Sequence, residues 1–212
     1  MLQQQTGLRE RILDTALELA EASSWERLHL HTVAGVLHIG LDEVLSHYPQ
    51  KDDLADAWFD RADRAMLGAE RGLAFLDLPL RERLHQVICS WLDALAPHRR
   101  LTREMLAYKL EPGHVHLQAL GIMRVSRTVQ WFREAARQDR TGLRRLVDES
   151  VLTVIYLVVF ARWLFDDSED GRRSKALLET ALGRWLGSDR SVPAPSGASQ
   201  AGIPAPLQPP GD

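Results

Sequence analysis

Apolar residues recur three and four positions apart through nearly all of the first 187 residues, and no stretch sustains the apolar-polar alternation of a half-buried strand. That rhythm predicts an all-α chain. A first helix over residues 7–23 gathers Leu8, Ile12, Leu13, Ala16, Leu17, Leu19 and Ala20 on one wide face. Two short helices, 31–37 and 41–46, follow around a His38-Ile39-Gly40 turn, and Pro49 closes the unit before a helix over 51–73. Further helices are expected over 79–95, 97–110, 114–138 and 143–165, most of them bounded by a proline or glycine. Asp166-Asp167-Ser168 offers N-cap chemistry for a last helix ending near Gly187, for a total of about nine. From residue 189 onward six prolines and no aromatic residue predict a disordered, proline-rich tail, 189–212.

The 212 residues are 45% hydrophobic, enough for a core, which excludes a wholly disordered chain. Cys89 is the only cysteine, which excludes an internal disulfide or a cysteine-rich zinc site and points to a reducing compartment. The first residues carry charges through Glu21 and lack the apolar core of a signal peptide, so a cytoplasmic protein is expected. The longest apolar run, 151–165, holds Thr153 and Arg162 and is shorter than the ~20 residues a bilayer span needs. It reads as a buried helix.

The net charge of −3 hides an uneven distribution. Residues 1–54 hold four cations against nine anions, a net of −5, and residues 99–145 hold eleven against four, a net of +7. The basic block reads either as a solvated helix surface or as a surface for an anionic ligand or phospholipid headgroups. No phosphate-binding glycine loop, nucleophile elbow, metalloprotease pair or Cys/His cluster is present, so neither an enzyme nor a metal or cofactor site is expected.

Three short helices ahead of a larger helical body suit a helix-turn-helix DNA reader on a dimerising core. Thr32-Val33-Ala34, Ile39-Gly40 and His47-Tyr48-Pro49-Gln50-Lys51-Asp52-Asp53-Leu54, preceded by RERILDTALELAEASSWERL, resemble the N-terminal domain of the TetR family of transcriptional regulators over residues 8–60. The resemblance implies a helix-turn-helix domain, 1–50, and a ligand-binding and dimerisation domain, 51–188. It implies that Thr32 caps the first motif helix and touches phosphate and that Lys51 approaches phosphate. His47 and Tyr48 would end the recognition helix, Tyr48 filling the family's apolar position.

The recognition helix, Leu41-Asp42-Glu43-Val44-Leu45-Ser46, is degenerate against that pattern. Leu45 stands where a tyrosine usually reaches phosphate, Glu43 where a threonine does, and Ser46 where arginine is common. Asp42 and Glu43 suit a helix N-terminus and can accept a hydrogen bond from cytosine, yet they repel a polyanion. A head of net charge −5 is expected to bind DNA weakly at cellular salt.

The body is also similar to TetR-fold ubiquinone-biosynthesis accessory proteins, through FDRADRAML, LRERLHQVICSWLDALAPHRR and LTVIYLVVFARWLFDDSEDG. That similarity implies an alternative: a lipid-binding protein without DNA, taking an isoprenoid and making peripheral membrane contact. Under either reading an apolar or amphipathic ligand is expected among Trp91, Leu95, Met105 and Tyr108, with Leu120, Met123, Trp131 and Phe132. The helix over 151–165 has too many apolar residues for one face. The TetR resemblance places a homodimer interface on Val151, Ile155, Val158, Phe160 and Trp163, with Leu178, Leu182 and Trp185. The leading expectation is therefore a homodimeric regulator that binds a DNA operator and answers to a small ligand.

Overall fold

The computed structural model describes residues 2–68, 73–110, 115–138 and 142–187, and all the regular secondary structure among them is helical. The order is α1 (Leu2–Ala22), α2 (Leu30–Leu37), α3 (Leu41–His47), α4 (Lys51–Gly68), α5 (Leu73–Leu76), α6 (Leu80–Leu95), α7 (Arg99–Leu110), α8 (Val115–Ala135), α9 (Gly142–Trp163) and α10 (Arg172–Gly187). Nine of these have seven residues or more, as the periodicity predicts; α5 is a single turn. Several boundaries differ from expectation: α1 already starts at Leu2, and α8 and α9 end at Ala135 and Trp163. α4 stops at Gly68, Pro97 sits in a 3-10 turn (Ala96–His98) ahead of α7, and a second such turn (Glu169–Gly171) delays α10 to Arg172. The proline-rich tail lies outside the described residues.

The body is organised around Trp91 of α6, which is 1% exposed. Phe59 of α4 stacks on it at 6.2 Å, while Phe132 of α8 and Tyr156 and Phe160 of α9 meet it edge-on at 6.2, 5.4 and 5.0 Å. Such pairs add about 0.5–1.5 kcal/mol each beyond area burial. The indole Nε1 donates to Asp63 Oδ1 of α4 at 2.8 Å, and Arg124 of α8 donates to Asp63 Oδ2 at 3.0 Å. Asp63 is fully buried, and that burial raises its carboxyl pKa against the opposing pull of Arg124 and the Trp91 N–H.

The acidic first segment and the basic block turn out to be partners in part. Arg100 of α7 reaches Glu21 of α1 at 2.9 Å, and Glu104 accepts the backbone N–H of Trp25 at 2.8 Å. Arg124 and Arg127 meet Asp60 of α4 at 2.9 and 2.8 Å, and Lys109 meets Asp56 at 2.7 Å. From the other side of α4, Arg61 bridges Glu10 and Asp14 of α1 at 2.6 and 2.7 Å, and Arg64 reaches Glu10 at 3.0 Å. Partial burial disfavours the Glu10 carboxylate, but hydrogen bonds from the two arginines hold its pKa below the usual range.

The α9–α10 corner is fixed by Asp166. Its carboxylate accepts the N–H and hydroxyl of Ser168 at 3.0 and 2.6 Å and those of Ser174 at 2.8 and 2.6 Å, while its carbonyl accepts from Arg99. Gly171 turns the chain with φ +64°, a conformation that favours glycine, and a Cβ there would press on the buried Trp163 ring at 3.1 Å. Burial opposes the Asp166 carboxylate, but these four donors outweigh it and hold its pKa far below the ordinary value. Stability from this group is present above the unfolded carboxyl pKa and is lost as pH falls through the folded one. Asp166→Asn is therefore expected to lower unfolding stability by about 1–3 kcal/mol at pH 7. In urea titrations the gap between the two proteins should narrow as pH drops below about 4.

Candidate DNA-reading head and helical body

α2 and α3 form a helix-turn-helix. Val33, Ala34 and Val44 are buried between the helices, which also rest on α1. The turn closes without glycine at its left-handed position: His38 has φ 55° and ψ 40°, and the following N–H, of Ile39, reaches the Ala34 carbonyl at 3.1 Å. Gly40 comes two residues later, where the Asp42 carboxylate folds back over it, so close that a Cβ would displace Asp42. On α3, Val44 points inward, and Leu41, Asp42, Glu43, Leu45 and Ser46 are exposed. Thr32 of α2 is exposed as well, and no side-chain cap is made at the start of α2.

Two other candidates serve the head's own structure. Tyr48 is 1% exposed and donates its hydroxyl to the Arg9 carbonyl at 3.2 Å, in keeping with the apolar position assigned to it. Arg9 lies over the Tyr48 ring at 4.5 Å and donates to the carbonyl of the half-buried His47 at 3.1 Å. Lys51 is turned onto the head rather than projecting with Thr32. Its Nζ donates to the carbonyls of Trp25 and Glu26 at 3.2 and 3.3 Å and lies 4.8 Å from the centre of the Tyr108 ring. Burial lowers its pKa, with Asp52 and Glu26 partly offsetting that. Neither the Lys51 clamp nor the Arg9 contact is legible in one dimension, because their three acceptors are backbone carbonyls brought close only by the fold.

The expected ligand residues do not share one environment. Trp91, Leu95, Met105 and Phe132 are fully packed core, with aromatic side chains occupying the space around Trp91. Tyr108 and Trp131 are half-buried, Met123 is 69% exposed, and the side chain of Leu120 lies outside the described residues. A cleft of about 420 Å³ instead opens between α6 and α10, lined by His85, Glu169, Asp170, Arg172, Lys175, Ala176 and Glu179. Beside it Cys89 sits 3.7 Å from His85 Nε2; burial pushes its thiol up to about 11, so it stays protonated near neutral pH.

The expected interface residues divide in the same way. Phe160, Trp163, Leu178 and Leu182 are buried within their own chain, because α10 packs along α9 and both pack on α6. Val151, Ile155 and Trp185 are half-buried, and Val158 is 53% exposed. The open apolar face of α9 consists of Leu143, Leu146, Val147, Val154, Leu157 and Val158. Their spacing of three and four residues was legible in the sequence, but which arc of an all-round apolar helix faces outward depends on where α10 lies.

Among the described residues no helix is long and apolar enough to cross a membrane, and no group of three His, Cys, Asp or Glu is placed to hold a metal ion. No family model and no curated protein matches the sequence. Among solved structures, a TetR transcriptional regulator from Nitrosomonas europaea ATCC 19718 is 46% identical with a TM-score of 0.77, the match covering 85% of this chain and 99% of that one. A TetR transcriptional regulator from Rhodococcus sp. RHA1 shares the fold at 18% identity and a TM-score of 0.64, over 88% of this chain and 98% of that one. With 46% identity over 85% of its own length and 99% of the Nitrosomonas protein, the chain belongs to the TetR family of transcriptional regulators.

Proposed function

We propose that the protein is a homodimeric regulator that binds operator DNA through α3 and is controlled by a small apolar or amphipathic ligand in the helical body. The observation that carries the DNA reading is the outer face of α3, which is exposed on a helix-turn-helix whose inner faces are packed. Residues 1–50 act as the reading head and 51–188 as the ligand and dimer domain. In a dimer the two heads address two half-sites, and a ligand changes their separation. Because Trp91 is already enclosed by rings, a ligand near it has to displace aromatic side chains, which gives it a route to move α4 and the head.

Mobility-shift assays against the DNA upstream of the protein's own gene, at two salt concentrations, test this reading. A sequence-specific complex supports it. Purified protein that shifts no duplex at low salt and yields an isoprenoid lipid on extraction would instead fit the accessory-protein alternative.

The open face of α9 supplies the dimer seam in this proposal. Val154→Glu combined with Val158→Glu should convert dimer to monomer in analytical ultracentrifugation. Monomer folding should change little, because both side chains are already exposed, at 61% and 53%. Lys51→Met should cost about 1 kcal/mol in urea denaturation by leaving two carbonyls without their donor, while DNA affinity stays within about twofold. A tenfold affinity loss at unchanged stability would instead make Lys51 a phosphate ligand.

A further inference from the structure

We propose that Leu41 and Leu45 are the specificity-determining side chains of the head and that they read the 5-methyl groups of thymine. The inference rests on DNA binding through α3. Leu41 and Leu45 stand one helical turn apart on one flank of α3, 42% and 39% exposed. A groove of about 350 Å³ runs beside them toward the start of α2, with Leu28, Leu30 and Lys51 among its walls and the stacked rings of His29 and His31 at its rim. Leu41 and Leu45 are the apolar side chains that α3 itself exposes on this surface.

The major groove offers hydrogen-bond donors and acceptors at every base pair, and its one apolar group is the thymine methyl. Leucine side chains make no hydrogen bond, so the methyl is the only feature of a base edge they can select. The neighbouring groups push the same way. Guanine presents two acceptors, which call for a cation or an amide donor. Lys51 lines the same groove, but its ammonium donates to the carbonyls of Trp25 and Glu26, and Arg9 donates to the His47 carbonyl. Asp42 and Glu43 only accept, which disfavours guanine and suits an amino group. With few cations facing DNA, discrimination comes from burying methyls against leucine, and the dependence of affinity on salt is shallow.

The test uses the full-length protein and a duplex enriched with it from a randomised pool. Each thymine of the enriched site is then replaced by deoxyuridine, which deletes the methyl and preserves base pairing. Loss of at least two methyls per half-site is expected to weaken binding by roughly fourfold to tenfold each. Leu41→Ala and Leu45→Ala, checked for native circular dichroism, should bind thymine and deoxyuridine duplexes alike. An enriched duplex bound equally well with deoxyuridine overturns the inference and leaves the DNA reading standing. A methyl effect that persists unchanged in both leucine variants overturns it too, since the methyl would then act through DNA shape. Failure of any duplex to enrich at low salt removes the DNA reading itself, and this inference with it.

Discussion

α4 has to satisfy neighbours of opposite charge on its two sides, and the rest of the molecule hangs on how it does so. Asp60-Arg61-Ala62-Asp63-Arg64 sends its carboxylates toward Arg124 and Arg127 of α8 and its guanidiniums toward Glu10 and Asp14 of α1. Between these two charged faces, Phe59 joins the rings around Trp91. A change on either side of α4 is therefore felt on the other. Asp63 is the most constrained member, because it is fully buried and bound to both the Trp91 indole and Arg124. Removing Arg124 would leave the buried carboxylate with only Arg127 as a cation, 3.9 Å away, a larger penalty than breaking an exposed pair.

The charge asymmetry along the sequence has its physical meaning here. The excess of acid in the head and of base in the middle helices looked like two separate surfaces, one repelling DNA and one attracting an anion. Part of it is internal complementarity instead: Glu21 pairs with Arg100, Glu10 and Asp14 with Arg61 and Arg64 of α4, and Asp60 of α4 takes up Arg124 and Arg127. What is left over on α3 is the pair Asp42 and Glu43, beside two leucines. The reading surface is thus acidic and apolar at once.

The helical class, the number of long helices and the helix-turn-helix were legible because they depend on local periodicity and on breakers such as Pro49 and Gly40. Side-chain destinations were less so. Tyr48 was legible as core through the TetR resemblance, which puts it at the family's apolar position. Lys51 was not, since its acceptors are carbonyls 25 and 26 residues away, and any lysine at the start of a helix looks free in one dimension. Phe160 and Val158 illustrate the same limit on α9. They are two residues apart in an apolar run, yet one faces the Trp91 rings and the other faces outward, a distinction set by α6 and α10.

The Tyr48 hydroxyl on the Arg9 carbonyl links two points 39 residues apart, whereas the attachments of the head to α7, through Trp25 and Glu21, span 79. Closing the shorter loop costs less chain entropy, and contacts of low sequence separation form sooner during folding. Doubling the loop costs only about 0.6 kcal/mol more, so the two attachments differ less in cost than in reach. The shape of the reading surface thus rests on contacts within the head, and its orientation on contacts with the middle of the chain.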